Sequence, residues 1–174
     1  ICLVHLDIKP QNIIVTDDGT IKLIDFGLAQ PANVPQELVG GMAFGTAAYL
    51  SPEQATGDPV SAASDVYSLA CVVYELLTGS PPFVSDVGEE RSSDLIQAHL
   101  HRTPEPPSLV NPSVRLPAWV DEVLHWALAK RPEERFDDVR LFADLFVQGV
   151  EGSLRSGDTR QLRQELTVPV ETRR

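Results

Sequence analysis

His5-Leu6-Asp7-Ile8-Lys9-Pro10-Gln11-Asn12, with Asp25-Phe26-Gly27 downstream, decides how this sequence is read. Between the two stretches lie the β-branched runs 13–15 and 21–24, on either side of Asp17-Asp18-Gly19-Thr20. Such runs around an Asp-Gly turn predict a β-hairpin. A hairpin folds the chain back, so Asp7, Lys9, Asn12 and Asp25 can meet in one cleft. Moving a phosphoryl group needs such groups: a carboxylate to orient the attacking hydroxyl, a cation near the phosphate, and oxygen ligands for magnesium. Magnesium is a hard ion that takes a carboxylate or amide oxygen beside phosphates and water. Asp-Phe-Gly alone is a common accident, but joined to this octapeptide at this spacing it carries weight.

Downstream, residues 28–46 show no clear period and are rich in Gly, Pro and Ala. They predict a long loop, of a length that is usually functional or disordered. The remainder reads as helical. Leu69, Val72, Val73, Leu76 and Leu77 recur at i, i+3, i+4, i+7 and i+8, and Ala70, Cys71 and Tyr74 extend the apolar surface nearly all round, the mark of a buried helix. Gly79 and Pro81-Pro82 end it. Residues 93–100 predict a short helix. Residues 103–117 carry five prolines and predict a loop. Val120, Val123, Leu124, Ala127 and Leu128 form a second stripe, and Val139, Phe142, Ala143 and Phe146 a third. The pattern fades after Gly149. Residues 1–149 therefore read as one mainly α unit with a small β-hairpin, and residues 150–174 as a loosely ordered tail or linker.

The 174 residues fit one domain. A net charge of −11 disfavours nucleic acid and anionic membranes as partners, because their phosphates would repel the surface. The acidity serves solubility and would suit basic substrates. Cys2 and Cys71 sit in apolar runs and read as buried free thiols, which fits a reducing cytoplasm better than a disulfide framework. No run approaches the ~18 apolar residues of a membrane helix. His99 and His101 are two apart and point to different sides of a helix, so the four histidines make a poor zinc set. Trp119 and Trp126 read as helix packing.

The octapeptide and Asp-Phe-Gly together resemble the protein-kinase signature, and the likeness is greatest to bacterial kinases of the eukaryotic type. The resemblance implies a kinase-like C-terminal lobe, ATP and Mg2+ as cofactors, and protein substrates with Ser or Thr acceptors. It implies Asp7 as catalytic base or orienting carboxylate, Lys9 at the transferred phosphate, and Asn12 and Asp25 as magnesium ligands and cofactor contacts. His5, Phe26 and Gly27 would be structural. Lys9, with Thr46 seating the acceptor, looks like the serine/threonine branch. Tyr49-Leu50-Ser51-Pro52-Glu53 is similar to the end of an activation segment, with Ser51 where the family often has Ala. Asp65 would bind the catalytic-loop backbone. Glu53 and Arg135 would form a buried pair; the alternative is two solvated surface charges worth ~0–1 kcal/mol.

Two departures stand out. Leu6 replaces the arginine that many kinases use to grip an activation-loop phosphate, and residues 28–45 contain no Ser, Thr or Tyr. Both imply activity that no phosphate in that stretch switches. Nor does the sequence contain a glycine-rich phosphate loop or its partner lysine. The expectation is that an N-terminal lobe is missing, that the apolar start 1–4 belongs against it, and that the chain alone transfers no phosphate. The competing reading is a pseudokinase or kinase-like docking module without catalysis. Four retained chemical groups speak for the enzyme, and sequence ahead of Ile1 would discriminate.

Overall fold

The computed structural model describes residues 3–33, 46–84, 92–112 and 116–155. Strand β1 (Leu3–Val4) leads into the motif loop, which ends in a 3-10 turn at Pro10–Asn12. Strands β2 (Ile13–Val15) and β3 (Ile21–Leu23) form the hairpin, with Ile14 opposite Lys22. Gly19 sits at φ +81°, where a Cβ would be strained. The Asp18 carboxylate closes the turn by accepting from the Thr16 hydroxyl and the Thr20 amide.

Strand β4 (Gln30–Pro31) returns to pair with β1, Val4 opposite Gln30 and Leu3 opposite Pro31. The sequence placed these residues in a loop. A two-residue bridge has no periodicity to reveal it, and a strand-edge proline is tolerated because only its amide is lost. Residues 34–45 of that expected loop lie outside the described residues.

A short helix α1 (Pro52–Thr56) precedes the central helix α2 (Ala62–Thr78). Ser61 caps α2 by accepting from the Ala63 amide, and the Ser64 side chain reaches back to the Ser61 amide. Gly79 ends it at φ +89°. Helices α3 (Ser92–His101), α4 (Pro107–Val110), α5 (Ala118–Ala127) and α6 (Val139–Arg155) follow. Against α2 pack α5, α6, β1 and the 3-10 turn Thr46–Tyr49.

The mainly α architecture with one small hairpin agrees with the sequence reading, and three details differ. The deep face of α2 is Val66, Tyr67, Ala70, Cys71 and Tyr74, whereas Leu76 is 79 % exposed. Of the Leu/Val stripe only Val72 is buried, while Leu69, Val73 and Leu77 pack on the edge of the same core. The proline-rich stretch holds a one-turn helix, α4, with Pro107 at its first position, where the missing N–H has no partner to lose. Finally, α6 runs past Gly149 to Arg155. Residues 156–174 lie outside the described residues, as does Cys2.

Gly149 is a packing position. An added Cβ would stand 2.7–2.8 Å from three carbons of the Trp119 indole, which is itself edge-on to Phe146. Gly→Ala inside a helix normally gains about 1 kcal/mol. Here the clash should win, and Gly149→Ala is expected to cost about 1–3 kcal/mol net. Urea unfolding at the parental midpoint would sink this account.

Candidate active site

Asp65, on the first turn of α2, fixes the loop that carries the chemistry. Its Oδ2 accepts from the His5 amide at 2.8 Å and its Oδ1 from the Leu6 amide at 2.9 Å. Burial lifts the Asp65 carboxyl above its ordinary range, although the two amides pull the other way. From the opposite side, Gln54 Nε2 donates to the Leu6 carbonyl at 2.8 Å. These bonds hold Leu6 at φ +66°, a left-handed conformation that costs a bulky residue about 1–2 kcal/mol. The Leu6 side chain is buried with Val4 and Val60, and Ala32 packs on the same cluster.

One turn of chain later the polar groups converge. Asp7 Oδ2 accepts from Asn12 Nδ2 at 2.8 Å and pairs with Lys9 Nζ at 2.8 Å. Asn12 Nδ2 also donates to the Asp7 carbonyl at 2.8 Å. Asp7 Oδ1 is buried with no hydrogen-bond partner. Native proteins rarely leave such an oxygen unsatisfied without a reason, and a substrate hydroxyl would satisfy it.

The hairpin brings Asp25 to the same place. The Ile24 amide donates to the Asn12 carbonyl at 2.9 Å. His5 Nδ1 accepts from the Asp7 amide at 3.3 Å, so Nε2 carries the ring proton and donates to the Ile24 carbonyl at 3.2 Å. His5 thus links the loop to the residue before Asp25, and Phe26 packs edge-on against it. Asp25 is exposed at φ +63°, and its Oδ1 accepts from the Gly27 amide at 3.2 Å. A Cβ on Gly27 would stand 3.1 Å from that oxygen. With Asn12 Nδ2 committed to Asp7, the Asn12 side-chain oxygen and the Asp25 carboxylate are the hard donors here. Such a donor set fits magnesium, which needs few protein ligands.

Glu53 and Arg135 meet in a buried bidentate pair, Nη1 to Oε1 at 2.8 Å and Nη2 to Oε2 at 2.9 Å. The guanidinium also donates to the carbonyls of Ala63, Ala129 and Lys130, so all five donors are used. Burial would raise the Glu53 carboxyl, but Arg135 and the Ser64 hydroxyl hold it below its ordinary value. The pair anchors α1 and the adjoining Thr46–Tyr49 turn. Thr46 opens that turn, and its side chain lies outside the described residues.

Sequence reasoning missed Gln54, whose side chain both closes the α1 capping box with Ser51 and holds Leu6. Ser51-Pro52-Glu53-Gln54 matches the capping-box pattern, so that half was detectable. The box also gives Ser51 a reason to stand where alanine is common. The bond to Leu6 spans 48 residues and has no local signature.

The protein kinase domain family matches residues 2–147 of the chain. The chain belongs to the protein kinase family. It is 42 % identical over 135 residues to the serine/threonine-protein kinase PknB of Mycobacterium leprae, covering 77 % of this chain and 21 % of that protein. It is 44 % identical over 132 residues to the serine/threonine-protein kinase PknD of Mycobacterium tuberculosis, covering 76 % of this chain and 19 % of that protein. PknB of Mycolicibacterium smegmatis is 42 % identical over 136 residues, with shares of 77 % and 21 %. The chain therefore spans about a fifth of the length of these bacterial relatives. Protein kinases use ATP and magnesium ions. Among the described residues no helix is long and apolar enough to cross a membrane.

Proposed function

We propose that this segment is the catalytic half of the active site of a serine/threonine protein kinase, which moves the γ-phosphate of ATP to Ser or Thr of protein substrates. The observation that carries the reading is Asp7, tied to Lys9 and Asn12 through one oxygen and presenting the other unpartnered. Asp7 orients the acceptor hydroxyl and takes up its proton. Lys9, beside it, faces the transferred phosphate. Asn12 and Asp25 would hold magnesium, which supplies charge neutralisation on the phosphates when bound. Thr46 seats the acceptor at the start of its turn.

Leu3, Val15, Ile21, Phe26 and Leu28 are all at least half exposed. Such apolar surface suits cover by a second kinase lobe carrying the phosphate-gripping loop. The buried free thiol of Cys71 suits a reducing cytoplasm. Residues 1–149 are the kinase part of this reading, which α6 carries on to Arg155, with the sequence after it serving as a tail or linker.

The test is ATP-dependent labelling of serine and threonine peptides by an intact protein that carries this segment, with Asp7→Asn as control. No labelling from a protein that binds ATP would favour the docking module instead.

Leu6 adds a regulatory expectation. The position that would hold a phosphate-gripping cation is packed with Val4, Val60 and Ala32. The Asn33 amide is fixed to the Val60 carbonyl at 2.8 Å. Phosphatase treatment of the active protein is therefore expected to leave its rate unchanged. A stoichiometric phosphate on Thr46 that raises activity would refute this.

A further inference from the structure

His99 on α3 is completely buried, and phosphoryl transfer at Asp7 does not use it. Its Nδ1 lies 2.9 Å from the Tyr67 hydroxyl on α2. Lys130 Nζ donates to that same hydroxyl at 3.4 Å and sits over the Phe83 ring at 4.7 Å from its centroid. With its oxygen accepting from Lys130, the Tyr67 hydroxyl gives its own proton to His99 Nδ1. The imidazole proton then sits on Nε2. That nitrogen is buried and makes no hydrogen bond of full geometry, and the backbone of Ala48 and Ala47 is the acceptor beside it, pulling weakly toward the charged form. Burial, with Lys130 adding to it, pushes the imidazole down to about 3, so the ring is neutral at working pH.

The surroundings give this proton a direction of use. Ala47 is buried with Phe83, Leu95 and Ala98, which joins α3 to the underside of the Thr46–Tyr49 turn. Phe83 packs edge-on to His99 at 5.0 Å and fixes the ring plane. An N–H left unpaired in such a site costs free energy until a carbonyl meets it.

We infer that His99 is a positioning residue for the acceptor peptide: the Lys130–Tyr67–His99 chain carries the Thr46–Tyr49 turn, and the Nε2 proton holds the turn's backbone in the place a peptide needs. This rests on the reading that the turn seats the acceptor. His99 touches neither ATP nor the reacting atoms.

The test is steady-state kinetics of the intact protein, with a serine peptide and ATP varied separately. His99→Phe keeps a ring and removes both nitrogens; peptide KM should rise about fivefold, as for one lost hydrogen bond, with ATP KM unchanged. His99→Gln, which places an N–H near the old Nε2, should recover most of the loss. His99→Asn, which mimics only Nδ1, should not. Tyr67→Phe removes the hydroxyl that orients the ring and should raise peptide KM in the same selective way; it decides the matter should His99→Phe fail to fold. Unchanged peptide KM, an equal rise in both constants, or equal recovery by Asn and Gln would each overturn the inference. An unmodified protein that transfers no phosphate would overturn the site reading itself.

Discussion

Asp7→Asn, in an intact protein carrying this segment, is expected to lower kcat about a thousandfold, the usual scale for a positioned general base. The fold should survive. An asparagine oxygen can still accept the Asn12 amide bond now made at 2.8 Å to Asp7 Oδ2. What changes is the unpartnered position. The buried Oδ1 becomes an NH2 group, which donates where the acceptor hydroxyl must donate, so the two groups repel. Lys9 keeps an oxygen to donate to at that position but loses the charge of its 2.8 Å ion pair. ATP KM should barely move, because the lost interaction belongs to the acceptor side. Single-turnover phosphotransfer measures this directly, and a kcat within a few-fold of the parent would remove Asp7 from its role.

The largest expected effect on stability comes from Arg135→Met. It leaves Glu53 buried, 4 % exposed, without its guanidinium. Breaking one partner of a buried pair costs about 3–5 kcal/mol, or roughly 10 °C in Tm for a domain of this size. Pairing it with Glu53→Met should recover part of the loss, since an apolar replacement removes the stranded charge.

The pair also has a pH signature. Glu53 is held below its ordinary 4.5 in the folded state, so as pH falls the unfolded chain takes up the proton first. The contribution is present above 4.5 and disappears as pH drops through the folded value. Asp65 works in the opposite sense: its folded value is raised above 3.8, so its contribution weakens as pH climbs through that raised value. In Arg135→Met the acid limb due to Glu53 should vanish. An acid-unfolding curve identical to the parent's would contradict the assignment.

The hairpin was legible because β-branched runs and an Asp-Gly turn act locally, and the helices because their stripes span several turns. The site groups were legible as chemistry in one short motif. The supports were not. Asp65 meets His5 and Leu6 across about sixty residues of chain, and only family likeness pointed to it. Tyr67, His99 and Lys130 carried no signal, and Gln54 only that of its capping box, since a buried polar side chain looks like any other in sequence until its partners are placed. The Leu/Val stripe of α2 misled for a related reason. Periodicity finds an apolar face, but which face lies deepest depends on what packs there, and here Ala70 and Cys71 are fully buried while Leu76 is exposed.

Arg135 bridges positions 82 residues apart, a span at which proteins in oxidising compartments often rely on a covalent cross-link. A disulfide over such a distance acts largely by restricting the unfolded chain. The guanidinium clasp leaves that ensemble untouched and acts only after both halves have arrived. It is therefore a reversible lock that acid opens and neutral pH closes, with no redox partner required.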